Sequence, residues 1–205
     1  MKRIFFINLL ICIFFFLGCK NSSCTLIIGD SLFSGFKISH EDSVVTLLNK
    51  HLPGTFLNVT EIGLSLKNVK ERLSEFDEIE ITHVIIELGA NDFLRNVDTD
   101  VIYENLYSVI EYFKTKKIKV CVINFYDSSM LKFYKYFDVY NIKDLENVNL
   151  IFSTLEDVLV INNIWDGKFS CNEFKVDDFH PNSKGAKLIA FNILNYLKKN
   201  NFYSN

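Results

Sequence analysis

"THVIIELG", residues 82–89, is apolar at nearly every position and has the length of a strand. A strand that is apolar on both of its alternating faces is covered on both sides, the habit of a parallel sheet wrapped by helices. Similar short runs recur at 24–29 (CTLIIG), 55–62 (TFLNVTEI), 118–125 (IKVCVINF) and 158–164 (VLVINNI). Between them lie segments of helical period at 39–52, 65–76, 99–117 and 144–157, and a last one at 183–199. In the first of these, Ser39 and Asp42 are spaced as a capping box before Val44, Val45, Leu47 and Leu48. Strands alternating with helices predict right-handed crossovers and a five-stranded parallel sheet, a three-layer α/β/α sandwich of flavodoxin-like type. Residues 127–156 are aromatic-rich and read as helix in two pieces, 144–157 being the clearer.

The chain of 205 residues is long enough for one domain with a sizeable core. There is no internal repeat, and the two prolines mark no interior linker. The N-terminus has to be set apart from the fold. Lys2 and Arg3 precede an apolar stretch from Ile4 to Leu17, interrupted by Asn8. That stretch is shorter than the roughly 20 residues of a membrane span and has the layout of a secretory signal. It ends in Phe16-Leu17-Gly18-Cys19, which resembles a bacterial lipoprotein signal, in which the cysteine is lipidated and becomes the new N-terminus. The organisation expected is therefore a signal over 1–18, a tether over 19–23 and a domain over 24–205. The domain would be exported and held on a bacterial cell envelope by a lipid on Cys19.

Charge excludes some partners. The formal net charge is −3, and the one basic run, Lys114 to Lys119, reads as a solvated helix end leading into a strand. No nucleic-acid partner is expected. Beyond Cys12 and Cys19 the cysteines are Cys24, Cys121 and Cys171, an odd number without metal-ligand spacing. Neither a disulfide scaffold nor a metal site is expected.

In open α/β sheets the functional crevice lies at the carboxyl ends of the strands. Gly29-Asp30-Ser31 follows the first strand, Gly63 the second and Gly89-Ala90-Asn91-Asp92 the third; Asp177-Asp178-Phe179-His180 precedes the last helix. Those residue types on one rim suit acyl transfer. A serine hydroxyl needs a base to take its proton as it attacks. Imidazole changes charge nearest neutral pH, which fits His180 to that task. A carboxylate beside it would hold the ring in one tautomer; Asp177 has suitable spacing, with Asp178 as its alternative. The backbone N–H groups of Ser31 and Gly63 and the amide of Asn91 could receive an oxyanion. Ser34 is the competing serine and reads as a turn residue, while Asp30 and Asp92 read as acceptors for backbone amides. His40, His51 and His83 lie at a helix start, a helix end and a strand start.

These blocks together resemble the SGNH hydrolase superfamily, the GDSL esterases and lipases. "IGDSLFSGF" (28–36) is similar to its first block, "LGAND" (88–92) to its Gly-x-Asn-Asp block, and "DDFHPNSKGAKLIA" (177–190) to its closing Asp-x-x-His block. "NVTEIGLSL" (58–66) departs from the second block, having Ile62-Gly63 where the family usually has Ser-Gly. The resemblance implies Ser31 as nucleophile, His180 as base and Asp177 as its partner, with Ser31, Gly63 and Asn91 forming the oxyanion hole. It implies hydrolysis of a carboxylic ester or thioester through an acyl-enzyme, without a cofactor. The substrate would be a small-molecule, lipid or acylated-glycan ester. An acyltransferase acting on a glycan or lipid, or a non-catalytic surface-binding lipoprotein, remain the alternatives on the same scaffold.

Overall fold

The computed structural model describes residues 23–127, 130 and 142–204. The expected signal over 1–18, nearly all of the tether and most of the aromatic stretch 128–141 lie outside the described residues. Five strands form one sheet: β1 (Cys24–Gly29), β2 (Thr55–Thr60), β3 (His83–Glu87), β4 (Lys119–Ile123) and β5 (Leu159–Ile161). All neighbours pair in parallel, in the order β2-β1-β3-β4-β5. This is the flavodoxin-like order, in which the strand sequence reverses between β1 and β3. The sandwich expected from the sequence is the fold.

The sheet is built from the runs that announced it. Leu26, Ile27 and Ile28 of β1 are fully buried, and so are Val84, Ile85 and Ile86 of β3. Each such side chain contributes about 1.5–3 kcal/mol on leaving water. The edge strands differ: β2 keeps Thr55 and Asn58 exposed, and β5 is three residues long. Short or polar edges discourage pairing with other chains.

Seven α-helices are described: α1 (Ser31–Ser34), α2 (Val44–Asn49), α3 (Leu66–Glu71), α4 (Ala90–Leu94), α5 (Thr99–Thr115), α6 (Ile142–Ser153) and α7 (Ser183–Lys199). The long ones are amphipathic: α5 buries Ile102, Leu106, Val109, Ile110 and Phe113, and α7 buries Ala186, Ile189, Ala190, Ile193 and Leu197. α2 packs on α7, whereas α5 packs on α3 and α6, giving the two outer layers. No helix among the described residues is long and apolar enough to cross a membrane.

Several boundaries depart from expectation. The helix expected over 39–52 splits into a single 3₁₀ turn, His40–Asp42, and α2. Ser39 makes no side-chain cap; Ser43 does, its Oγ accepting the Thr46 N–H while its extended backbone interrupts the helix. The two-way capping box lies instead at the start of α3, between Ser65 and Asn68. The strand expected over 158–164 is shorter because Asn163 takes a left-handed conformation, φ 57°, and turns the chain out of the sheet.

Candidate active site

β1 ends beside the reversal of strand order and delivers Ser31 there as the first residue of α1. Asp30 caps that short helix: its Oδ1 accepts the Leu32 N–H at 2.9 Å. The other half of the site comes from the loop before α7. Lys175 and Pro181 pair as an isolated antiparallel bridge, and Val176 N–H donates to the His180 carbonyl at 2.9 Å. Asn182 then starts α7, its Oδ1 accepting from Lys184 and Gly185 N–H. The residues 175–181 therefore form a tight loop pinned at both ends, with His180 on it.

Across the pocket, His180 Nε2 lies 3.0 Å from Ser31 Oγ. On the far side of the ring, His180 Nδ1 lies 2.9 and 3.1 Å from the two oxygens of Asp177. Asp177 Oδ1 also accepts the backbone N–H of Phe179 and His180, at 3.0 and 2.9 Å, and Lys37 Nζ donates to Oδ2 at 3.1 Å. Partial burial works to raise Asp177, but these donors outweigh it and hold the carboxyl well below the usual carboxylate range. An ionised Asp177 can only accept, so Nδ1 carries the ring hydrogen and Nε2 is left to accept from the serine hydroxyl. The imidazole meets Asp177 rather than Asp178, whose carbonyl accepts from Lys175 Nζ at 3.0 Å. The Phe36 ring packs against the imidazole with centroids 4.4 Å apart.

Asn91, at the start of α4, faces Ser31 from β3. Its Nδ2 donates to Asp30 Oδ2 at 2.7 Å and, more weakly, to the Leu64 carbonyl at 3.2 Å. Gly63 adopts φ 79°, a left-handed turn that a side chain resists, and Arg95 holds its carbonyl at 2.8 Å. The backbone N–H groups of Ser31 and Gly63 donate to no acceptor among the described residues. Ile62, the departure noted in the sequence, stands two-thirds exposed on the rim. Asp92 accepts the Leu66 N–H at 3.0 Å and ties α3 to α4.

Asp30, Ser31, Gly63, Asn91 and His180 line one cavity of about 250 Å³, whose other walls are mainly apolar, among them Leu32, Phe36, Phe93, Phe125, Phe169 and Phe179. A larger cavity of about 580 Å³ opens around His51, Pro53, Phe191 and Tyr203, and neither Ser31 nor His180 is among its described lining residues. The smaller one brings the candidate residues Ser31, Gly63, Asn91 and His180 together. Of the other candidates, Ser34 is half-buried and its Oγ has no hydrogen-bond partner among the described residues, and His40 and His51 are exposed. His83 is buried at the start of β3, at the end of the sheet away from Ser31. Sequence reasoning passed over Lys37, Phe36, Arg95 and Glu87. The first three come from loops and turns whose approach to the site is tertiary, and Glu87 was submerged in an apolar strand.

The GDSL-like Lipase/Acylhydrolase family model matches residues 27–188, more than half of the chain. Among solved structures, the psychrotrophic esterase EstA from a Pseudoalteromonas species is 23% identical, with TM-score 0.70 over 86% of this chain and 97% of that one. TesA is 20% identical, with TM-score 0.75 over 86% and 99%. A lipase/acylhydrolase from Enterococcus faecalis is 19% identical, with TM-score 0.66 over 87% and 96%. At such identities these likenesses establish the fold. No curated protein matches the sequence significantly.

Proposed function

Because the chain belongs to the GDSL-like lipase/acylhydrolase family, and so is a carboxylic ester hydrolase, we propose that it works through a Ser31–His180–Asp177 relay and a covalent acyl-enzyme. The observation that carries this reading is the continuous bond line Ser31 Oγ, His180 Nε2, His180 Nδ1, Asp177, with steps of 3.0 and 2.9 Å. Ser31 Oγ attacks the ester carbonyl as Nε2 takes its proton, so the serine is nucleophilic only while attacking. Asp177 keeps the ring in the required tautomer and offsets the positive charge that the ring gains, without itself taking the proton. The tetrahedral oxyanion is received by the N–H groups of Ser31 and Gly63 and by Asn91 Nδ2. The hydrogen that Asn91 shares weakly with the Leu64 carbonyl is the one the oxyanion takes over. Collapse expels the alcohol or thiol, protonated by His180; water then attacks the acyl-enzyme with His180 as base and releases the acid.

The apolar walls of the cavity favour an acyl group over a polar one on that side. We further propose that the protein is exported and anchored through a lipid on Cys19. Ser31→Ala is expected to abolish hydrolysis of a short-chain nitrophenyl ester and labelling by a fluorophosphonate probe, with an unchanged circular dichroism spectrum. Equal activity of the alanine variant would refute the relay.

A further inference from the structure

Beneath Ser31 lies an acidic group that the relay does not use. Glu87, the last residue of β3, is completely buried, and Asp30 is 2% exposed. The β1–β3 register sets Gly29 opposite Glu87, so the Glu87 side chain reaches the turn that carries Asp30 and Ser31. Glu87 Oε2 accepts the Asp30 N–H at 3.2 Å, and the two carboxyl groups meet side by side. Glu87 Oε1 has no hydrogen-bond donor among the described residues.

A count of donors separates the two acids. Asp30 is supplied on both oxygens, by Leu32 N–H at 2.9 Å and by Asn91 Nδ2 at 2.7 Å. Glu87 is supplied on one only. A buried carboxylate with a bare oxygen against a second carboxylate is heavily disfavoured. A carboxylic acid in the same place is not, because it brings its own hydrogen and can donate it to Asp30.

We propose that Glu87 is a positioning residue which keeps its proton at neutral pH, donates it to Asp30, and so fixes Asp30 as the acceptor that aims the Asn91 amide at the oxyanion. The proposal rests on Asn91 belonging to the oxyanion hole. Burial acts in the same sense on both acids, raising Asp30 to about 6 and Glu87 well above the usual carboxylate range. The ionisable group facing Glu87 is Asp30; those acting on Asp30 are Glu87 and, across the pocket, His180, whose positive form favours a charged Asp30.

The test is a steady-state series on a soluble nitrophenyl ester at pH 7, with thermal unfolding as the control for folding. Glu87→Gln keeps a donor and an acceptor where the acid stood and is expected to hold kcat within about threefold. Glu87→Leu keeps the volume without the donor and is expected to lose kcat at least about thirtyfold with little change in KM. Should the leucine variant not fold, Glu87→Asp, which withdraws the same acid by one methylene, carries the same expectation. An infrared spectrum at pH 7 should show a protonated carboxyl band in the wild type that is missing from Glu87→Gln. The proposal is overturned if glutamine is as slow as leucine or aspartate, if those two keep full kcat, or if the carboxyl band survives in Glu87→Gln. Asn91→Ala runs alongside and is expected to lose about 10²–10³ in kcat, as for one oxyanion donor. Were it fully active, the oxyanion-hole assignment would fail and this inference with it, whereas a slow Asn91→Ala beside fast Glu87 variants refutes Glu87 alone.

Discussion

Asp177 gathers four donors onto one carboxylate, and that concentration has consequences for catalysis and for acid stability. Asparagine at this position can donate as well as accept. It would therefore tolerate the imidazole with its hydrogen on Nε2, where that hydrogen blocks the proton from Ser31. Asp177→Asn is expected to lower kcat by about 10⁴, as in a comparable triad, measured at the pH of maximal rate. The linkage has a definite sign: the folded-state value is depressed, so the unfolded chain binds more protons at acid pH. Asp177 thus contributes stability above its ordinary value of 3.8 that drains away as pH falls below it. The asparagine variant should accordingly lose less stability than the wild type between pH 4 and pH 2, read by denaturant melts. Lys37 is half exposed, so its ion pair with Asp177 counts for less than the two backbone donors. Ser31, Asp177 and His180 could be read from the sequence because each lies in a short local block. Lys37 and Arg95 carried no local mark, since a surface cation acquires its partner only when distant turns meet.

The element that most controls the site is the start of α7, where one asparagine does two jobs. Asn182 caps the helix through Oδ1, and its Nδ2 reaches back to the carbonyls of Glu173 and Lys175, at 2.9 and 3.3 Å. The helix and the loop bearing His180 are thereby fixed to one another. Asn182→Ala removes both and is expected to cost about 1–2 kcal/mol of unfolding free energy, read from denaturant melts, with a measurable fall in kcat. Asn182→Asp keeps the cap and should recover most of the stability but less of kcat. At this scale the sequence was legible where period and caps agreed: 183–199 is the helix observed, and 99–117 loses only its last two residues. It misled where a local pattern had a rival. Ser39 with Asp42 had the form of a cap, but Ser43 three residues before Thr46 offered a better one, directly ahead of Val44 and Val45. β5 was overestimated because Asn162 and Asn163 look like a strand continuing, while Asn162 in fact accepts from the Asn124 amide and the chain leaves the sheet.

Over the whole molecule, parallel strands give the domain two unlike ends. Ser31, Gly63 and Asn91 all follow the carboxyl ends of their strands, and His180 joins them there. The chain enters at the opposite end: Ser23 precedes β1, and its hydroxyl bonds the Pro53 carbonyl just before β2. Six residues of β1 at about 3.3 Å each separate the two ends by roughly 20 Å. A lipid on Cys19, four residues before Ser23, would therefore hold the domain by the end away from the cavity that holds Ser31 and His180. Anchoring and catalysis should then be separable. Cys19→Ala is expected to move the protein from the detergent phase to the aqueous phase of a two-phase extraction of membranes, while kcat/KM on a soluble nitrophenyl ester stays within about twofold. An N-terminal peptide of the wild type that carries no acyl mass on Cys19 would exclude the lipid. Loss of activity in the alanine variant would mean that the N-terminal segment reaches the cavity, against the polarity of the sheet.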